Sequence, residues 1–401
     1  MNWRARHEVL SYRPHWSLGM DGAGRILRSR TIAMRLRGAF LLGFCALAAA
    51  HASEWKVSIV PDVPGGKFSS LKMDSYGNAH VVHMDGFDNM IRYSFWDRTL
   101  NKWFSTDLER GSGFCSLVLD SKQRPHISYP AGTGVIHRFW DGEKWQRQFA
   151  DVHARVINYY TSIVLDANDY PSISFYEEAG AGDTCCRLRI VVWNGTFWDL
   201  KTIDATHGSG KFNSMAMNSR GHPEIAIGNV EYMTLSLRYA RWNGEAWNVE
   251  ILDNTVSSKW SVAMVLDKND SPHIVYTDVQ ARMVKYAAKR AGRWEIEAVD
   301  SIVRHAYPDR NGIAVDAEGT PYVSYYDAGL GVLKVAHRVK GRWVTEVVDQ
   351  DYAGYTSSMQ IANDTIWLTY GDERGELLRF AHRPIKPPAS AMNPEPAAIK
   401  R

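Results

Sequence analysis

The sequence predicts an all-β protein, a seven-bladed β-propeller of four-stranded antiparallel blades whose ring is closed by the N-terminal strand of the mature chain. Three observations carry this expectation. A Trp followed six residues later by Asp recurs as Trp145 to Asp151, Trp198 to Asp204, Trp247 to Asp253, Trp294 to Asp300 and Trp343 to Asp349, with looser copies headed by Trp55 and Trp103. The intervals from Trp55 through Trp343 are 48, 42, 53, 49, 47 and 49 residues, close to one constant period. Upstream of the anchors a second signature repeats: a small residue, an apolar strand, a polar turn, Pro and another strand. It reads SLVLDSKQRPHISY from Ser116, SIVLDANDYPSISFY from Ser162, SMAMNSRGHPEIAI from Ser214, AMVLDKNDSPHIVY from Ala263 and GIAVDAEGTPYVSYYD from Gly312. Weaker copies start at Ser70 and Ser358.

Each element of the unit has a local cause. Period-two alternation of Val, Ile, Tyr and Ser on both sides of an Asp/Asn/Gly turn is a hairpin, and Pro at the first residue of the returning strand gives up no interior ladder bond. A third strand follows, as in LRYARWNG from Leu237 and LKVAHRVKG from Leu333, and a Gly-containing turn leads to the anchor Trp and a fourth strand. No segment holds a 3.6-residue apolar period over three turns. Repeated sheets without helices bury their faces on one another in a radial arrangement. The last unit, from Ser358 to His382, lacks a closing Trp segment, while the mature chain opens with an orphan one from Trp55. The orphan strand is therefore expected to complete the last blade and remove an open edge.

The flanks read differently. From Met34 the chain runs MRLRGAFLLGFCALAAAHA, two arginines, an apolar run and small residues at 50–52, which is the pattern of a secretory signal peptide over 34–52. Residues 1–33 stand awkwardly upstream, so the expected start is Met34 and the earlier stretch an extension foreign to the protein. The propeller is expected over 53–383 and a disordered Pro- and Ala-rich tail over 384–401. No later segment reaches 18 apolar residues, so no transmembrane segment is expected after signal cleavage, and the localisation is secreted or periplasmic. Phe44 before Cys45 argues against a lipobox.

The chain has 47 basic and 44 acidic residues. Residues 1–52 hold eight Arg against Glu8 and Asp21, and without them 39 basic face 42 acidic residues. Bulk charge gives no sign of nucleic-acid binding. The mature chain keeps Cys115, Cys185 and Cys186: a vicinal disulfide, or a bridge from one of the pair to Cys115, are both open. The turns DANDYP and DKNDSP lack the ligand run of a calcium loop, and no CxxC pair exists, so neither metal nor cofactor is expected. Asn194-Gly195-Thr196 matches a glycosylation sequon.

Repeats such as ISYPAGTGVIHRFWDGEKW and VSYYDAGLGVLKVAHRVKGRW resemble those of the broad superfamily of exported sialidase-like, BNR-type seven-bladed propellers, over residues 53 to about 383. That superfamily includes glycosidases, polysaccharide lyases, lectins and adhesion scaffolds, so the resemblance implies a fold and not an activity. The sialidase Asp-box is absent: DGEKW at Asp141, NGTFW at Asn194 and NGEAW at Asn243 share only its Gly and Trp.

Loops leading into the innermost strands and loops joining second to third strands emerge on one face, around the channel. Five units carry a carboxylate just after the second strand: Asp85, Glu177, Asp278, Asp327 and Asp372, with Asn229 in the fourth unit. Aromatics precede the innermost strands: Phe68, Phe114, Tyr160, Phe212, Trp260 and Tyr355. Carboxylates and flat apolar faces suit sugars, which offer hydroxyl donors and a C–H face. The repeated Trp anchors, Tyr129, Tyr276 and Tyr325, and His126 and His273 are expected to serve packing, because every blade needs them alike. Catalysis breaks symmetry, and two longer loops do so. The loop over 152–160 offers His153, Arg155 and Tyr160, and that over 301–310 offers Arg304, His305, Tyr307 and Arg310.

The leading expectation is an exported propeller binding a glycan or another extracellular ligand on its channel face. One alternative is a polysaccharide lyase using His305, Tyr307, Arg310, His153 and Arg155, with Arg neutralising a uronate and His or Tyr as base. A glycoside hydrolase using two of the ring carboxylates is a variant of it. The other alternative is an envelope protein-interaction scaffold. Sequence leaves the oligomeric state undetermined.

Overall fold

The computed structural model describes residues 54–132, 134–152, 160–177, 186–206, 208–229, 235–255, 259–304, 310–372 and 376–385. The expected signal peptide and upstream extension and the segment from 386 lie outside these residues, as do the loop segments 153–159 and 305–309. The described residues form seven four-stranded antiparallel sheets, six of them consecutive meanders. In the seventh, Lys56–Pro64 pairs with Leu377–Pro384, through Lys56 opposite His382 and Val57 opposite Ala381. The ring thus closes with the two ends of the domain in one sheet. Among the described residues no helix is long and apolar enough to cross a membrane.

The innermost strands of blades one to seven are Lys67–Met73, Ser116–Leu119, Thr161–Leu165, Phe212–Met217, Lys259–Leu266, Gly312–Val315 and Ala353–Ala362. The chain must pass from the outer edge of blade seven to the centre of blade one within two residues, and Gly66 makes this possible. Its φ is +113°, and a Cβ there would stand 2.6 Å from the carbonyl oxygen of Leu377.

Contacts between blades explain the repeated residues. The anchor Trp stands edge-on against an aromatic of the preceding blade's third strand: Trp145 on Tyr93 at 5.0 Å, Trp198 on His137 at 5.5 Å, Trp294 on Tyr239 at 5.0 Å and Trp343 on Tyr286 at 5.2 Å. Edge-to-face geometry aligns ring quadrupoles favourably. The Asp six residues later reaches the other way, into the following blade. Asp253 accepts from Tyr276 Oη (2.7 Å) and Lys285 Nζ (3.4 Å), Asp300 from Tyr325 Oη (2.6 Å) and Lys334 Nζ (3.0 Å), and Asp349 from Tyr370 Oη (2.9 Å) and Arg379 Nη1 (3.0 Å). Asp204 repeats the pattern with Arg238 Nη1 at 3.0 Å. These buried carboxylates hold neighbouring sheets together with charge-assisted bonds.

A second set of links runs round the channel. The small residue opening each signature is a serine in five blades, and its Oγ accepts the amide of the next innermost strand. Leu71 N donates to Ser358, Leu117 N to Ser70, Ile163 N to Ser116, Met215 N to Ser162 and Met264 N to Ser214, at 3.0–3.3 Å. Blades five and six carry Ala263 and Gly312 instead. At Gly312 a side chain would collide with Ser324 Oγ and stand 3.0 Å from Met359 Cβ.

Candidate functional site

The polar repeats inside the blades are structural. A turn carboxylate or amide, a second-strand residue and a third-strand residue line up within single blades: Asp74–His80–Tyr93, Asp120–His126–His137, Asn218–Glu224–Tyr239 and Asp267–His273–Tyr286. Burial drives the imidazoles to the neutral form, lowering His126 to about 4 and His137 to about 3. The Asp turns are ordinary hairpins: Asp166 Oδ1 accepts Asn168 N at 2.8 Å and Tyr170 N at 2.9 Å. Of the cysteines, Cys186 is disulfide-bonded and Cys115 is a free, buried thiol, so a bridge to Cys115 is excluded and the partner of Cys186 lies outside the described residues.

The loops into the innermost strands and the second-to-third-strand turns do share a face. Gly111 N donates to Asn89 O, Ser112 N to Pro130 O, Ile302 N to Arg282 O and Ala328 N to Arg304 O. All five ring carboxylates stand on this face, and each is satisfied from within its own blade or turn. Asp85 pairs with Arg92 and accepts Phe87 N at 2.8 Å. Burial alone would raise its pKa, but these bonds outweigh it and hold the carboxyl below its ordinary value. Glu177 Oε2 takes Arg187 Nε and Arg189 Nη1, both at 2.7 Å, and Asp278 takes Lys285 Nζ at 2.7 Å. Asp327 receives the amides of Val303, Arg304 and Gly329, and Asp372 that of Glu376 at 2.7 Å.

Five of the six aromatics form one continuous arc. Phe68 lies 4.0 Å from Phe114, Phe114 stacks on Tyr160 at 3.5 Å, Tyr160 lies 5.0 Å from Phe212, and Phe212 stacks on Trp260 at 6.0 Å. Tyr355 packs separately on Tyr326 at 6.5 Å. Phe68, Phe114, Tyr160 and Phe212 are 7%, 2%, 2% and 3% exposed, so they spend their faces on one another.

Of the residues weighed for catalysis, His153, Arg155, His305 and Tyr307 lie outside the described residues, whereas Arg310 is described. Two residues before the serine position, where blades one to four carry Phe68, Phe114, Tyr160 and Phe212, blade six carries Arg310. Its side chain crosses from blade six to blade two, where Nη1 donates to Cys115 O at 3.3 Å. Its own carbonyl accepts Ser357 N at 3.0 Å. Burial lowers the Arg310 pKa, with Tyr160 and Cys115 partly opposing the shift. The described ends of the two unusual loops, Tyr160 and Arg310, thus influence each other electrostatically.

Sequence reasoning named Arg304 but passed over the other cations of this face. Lys67 stands directly before the aromatic of blade one, Arg110 ends the fourth strand of that blade, Arg282 sits in the turn of blade five, and Arg304 precedes blade six. Lys67 is half-buried, and Arg110, Arg282 and Arg304 are exposed; none makes an ion pair with a described residue. Among the described residues only the Arg304 side chain has a polar contact, from Nη2 to Ala328 O at 3.2 Å. Lys and Arg in the loops and turns of one face were the available signal.

No protein-family model and no curated protein sequence matches this chain. Solved structures share its fold at low identity. An ulvan lyase of polysaccharide lyase family PL25, bound to -[GlcA(1-4)Rha3S]-, has a TM-score of 0.56 at 10% identity, covering 81% of this chain and 95% of that one. The lectin of Aleuria aurantia, in complex with alpha-methyl-L-fucoside, gives 0.52 at 15% identity over 72% of this chain and 98% of that one. The Cps50 (Swd1) β-propeller domain of Myceliophteria thermophila gives 0.53 at 13% identity over 81% and 99%. The common ground is the β-propeller fold, which lectins and lyases share.

Proposed function

We propose that this protein is an exported propeller that binds anionic glycans on the channel face. The observation that carries the reading is the charge balance of that face. Of its ring carboxylates, Asp85, Glu177 and Asp278 are paired with cations and Asp327 and Asp372 accept backbone amides, while Lys67, Arg110, Arg282 and Arg304 have no acidic partner among the described residues. Among these residues the four unpaired cations outnumber the two carboxylates without a cation, and the positive surplus attracts uronate or sulfate groups rather than neutral sugars. The buried aromatic arc leaves little ring surface for stacking and points the same way. Two structures with this fold are sugar complexes, one with a glucuronate-containing, sulfated repeat. Affinity electrophoresis against uronate-rich, sulfated and neutral polysaccharides tests the reading. Retardation by the anionic polymers alone is expected, and an R282A/R304A variant should lose at least tenfold in affinity. Equal retardation by neutral polymers, or preference for single-stranded DNA over every glycan, would overturn it.

Turnover is a second reading of the same surface, favoured by the electrostatic influence of the Tyr160 phenol on the Arg310 guanidinium. Growth of unsaturated-uronate absorbance with an anionic polysaccharide, lost in a Tyr160→Phe variant, would support a lyase; the paired ring carboxylates make a hydrolase the weaker case.

A further inference from the structure

The channel below the mouth has a composition of its own. It encloses about 100 Å³ and is lined by residues of all seven innermost strands. Two of them are cations, Lys72 from blade one and Arg310 from blade six. The position of Lys72 is held in the other blades by Val118, Val164, Ala216, Val265, Ala314 and Gln360, so this ammonium is a departure from the repeat. Burial lowers the Lys72 pKa, and the charge of Arg310 lowers it further. No carboxylate contributes to the shift of either group. Among the described residues the Arg310 guanidinium has one hydrogen bond, to the neutral carbonyl of Cys115. Two like charges facing one space with no counter-charge among the described residues are costly, because desolvation and repulsion act in the same direction.

The serine ring supplies the complementary half. Ser70, Ser116, Ser162, Ser214 and Ser358 line the channel, and each uses its oxygen to accept the amide of the next blade. A hydroxyl whose lone pair is occupied in this way keeps its O–H as a donor. The channel therefore presents hydroxyl donors and two cations, and no described carboxylate, around a space of small-molecule size.

We propose that the central channel is a binding site for one small oxyanion, a sulfate, phosphate or carboxylate, held by Lys72, Arg310 and the serine hydroxyls. It stands apart from glycan binding at the mouth: a free inorganic ion and the charged substituent of a glycan have the same chemistry here, and they are separable by experiment. With the anion bound, Lys72 and Arg310 change from a repelling pair to two arms of one clamp.

The test uses the whole mature protein, dialysed against chloride. Sodium sulfate and sodium phosphate are titrated by calorimetry and thermal unfolding, with sodium chloride at matched ionic strength as control. A saturable heat with about one site is expected, with a rise in Tm of several degrees over the chloride control. Lys72→Met should abolish both and Lys72→Arg should keep them. In chloride alone K72M should melt higher than the native chain, because it removes the repulsion with Arg310. If an ion is retained through purification, ion chromatography of the acid-denatured protein gives about one equivalent, and K72M gives none. A sulfated oligosaccharide that binds equally well to K72M and to the native chain assigns the glycan to the mouth and the free ion to the channel. Equal responses of native protein and K72M to sulfate would reduce the effect to general salt stabilisation. That result, or neither heat nor retained ion in the native protein, overturns the proposal. Should K72M fail to fold, Ser116→Ala and Ser162→Ala, which remove single donors, should each weaken sulfate binding several-fold; unchanged affinity in both has the same consequence.

Discussion

Arg310 Nη1 donates to the carbonyl oxygen of Cys115, 3.3 Å away and 195 residues earlier in the chain, while Cys115 Sγ donates to the carbonyl of Phe68 at 3.1 Å. Blades six, two and one are joined by these two bonds around the channel. Burial is the main reason the Cys115 thiol is pushed up to about 12, against a smaller opposing effect of Arg310. At pH 8 the native thiol should therefore resist a disulfide reagent and react only on unfolding. In Arg310→Ala the channel is open above it, and labelling should accelerate at least tenfold in native buffer. Rapid labelling of the unaltered protein would contradict this burial.

The clasp between blades should be visible in stability. Asp349→Ala leaves Arg379 Nη1 and Tyr370 Oη without their buried acceptor, at a cost of about 3 kcal/mol. Urea unfolding should report it as a lower midpoint with an unchanged slope. Asp351 also pairs with Arg379, but it is largely exposed, and Asp351→Ala should cost less than about 1 kcal/mol.

Stability should fall on acidification. His83 and His137 are held down to about 3 and His126 to about 4, in each case chiefly by burial, against an ordinary value of 6.5. They are neutral when folded and take up protons below pH 6.5 when unfolded. The unfolded state thus binds more protons in this window, and stability drops as pH falls from 6.5 towards 4. Each histidine contributes roughly 1–2 kcal/mol of the loss between pH 6.5 and 5. Tm measured across this range should show the slope, and His137→Gln should make it shallower.

Removal of residues 54–64 should abolish the cooperative transition. The strand Lys56–Pro64 buries Val60 and Val63 and covers the backbone edge of Leu377–Pro384. Without it that strand becomes an open edge with hydrogen-bonding groups unpaired. Light scattering should show concentration-dependent association, and the same peptide added in trans should suppress it.

Much of this architecture was legible because each blade repeats its solution. The Trp-to-Asp spacing and the serine-strand-turn-Pro pattern named seven units, and the orphan Trp55 segment named the closure. What escaped is specific. The pattern marked a small residue at Ser70 or Ser116 but not its partner, because an acceptor for the next blade's amide is visible only once two blades are side by side. The aromatic series was misaligned at Trp260 and Tyr355. Both lie three residues before the small residue of the signature, whereas Phe68, Phe114, Tyr160 and Phe212 lie two before it. The positions matching Phe68 are Ser261 and Thr356, in the two blades that flank Arg310. The mouth carboxylates were read as free because their neutralising cations, Arg92, Arg189 and Lys285, lie on third strands that a search for unusual loops ignores.

The junction of Lys56–Pro64 with Leu377–Pro384 also dictates a timetable. The segment that leaves the ribosome first among the folded residues finds its partner only when the last strand has emerged, more than three hundred residues later. Until then six sheets can stack into an unsealed arc, with an unmatched flank at either side. A chain crossing a membrane before it folds, as the leader predicts, avoids that interval inside the cell. It also acquires a single latch, so one cut near either terminus would release the whole circle.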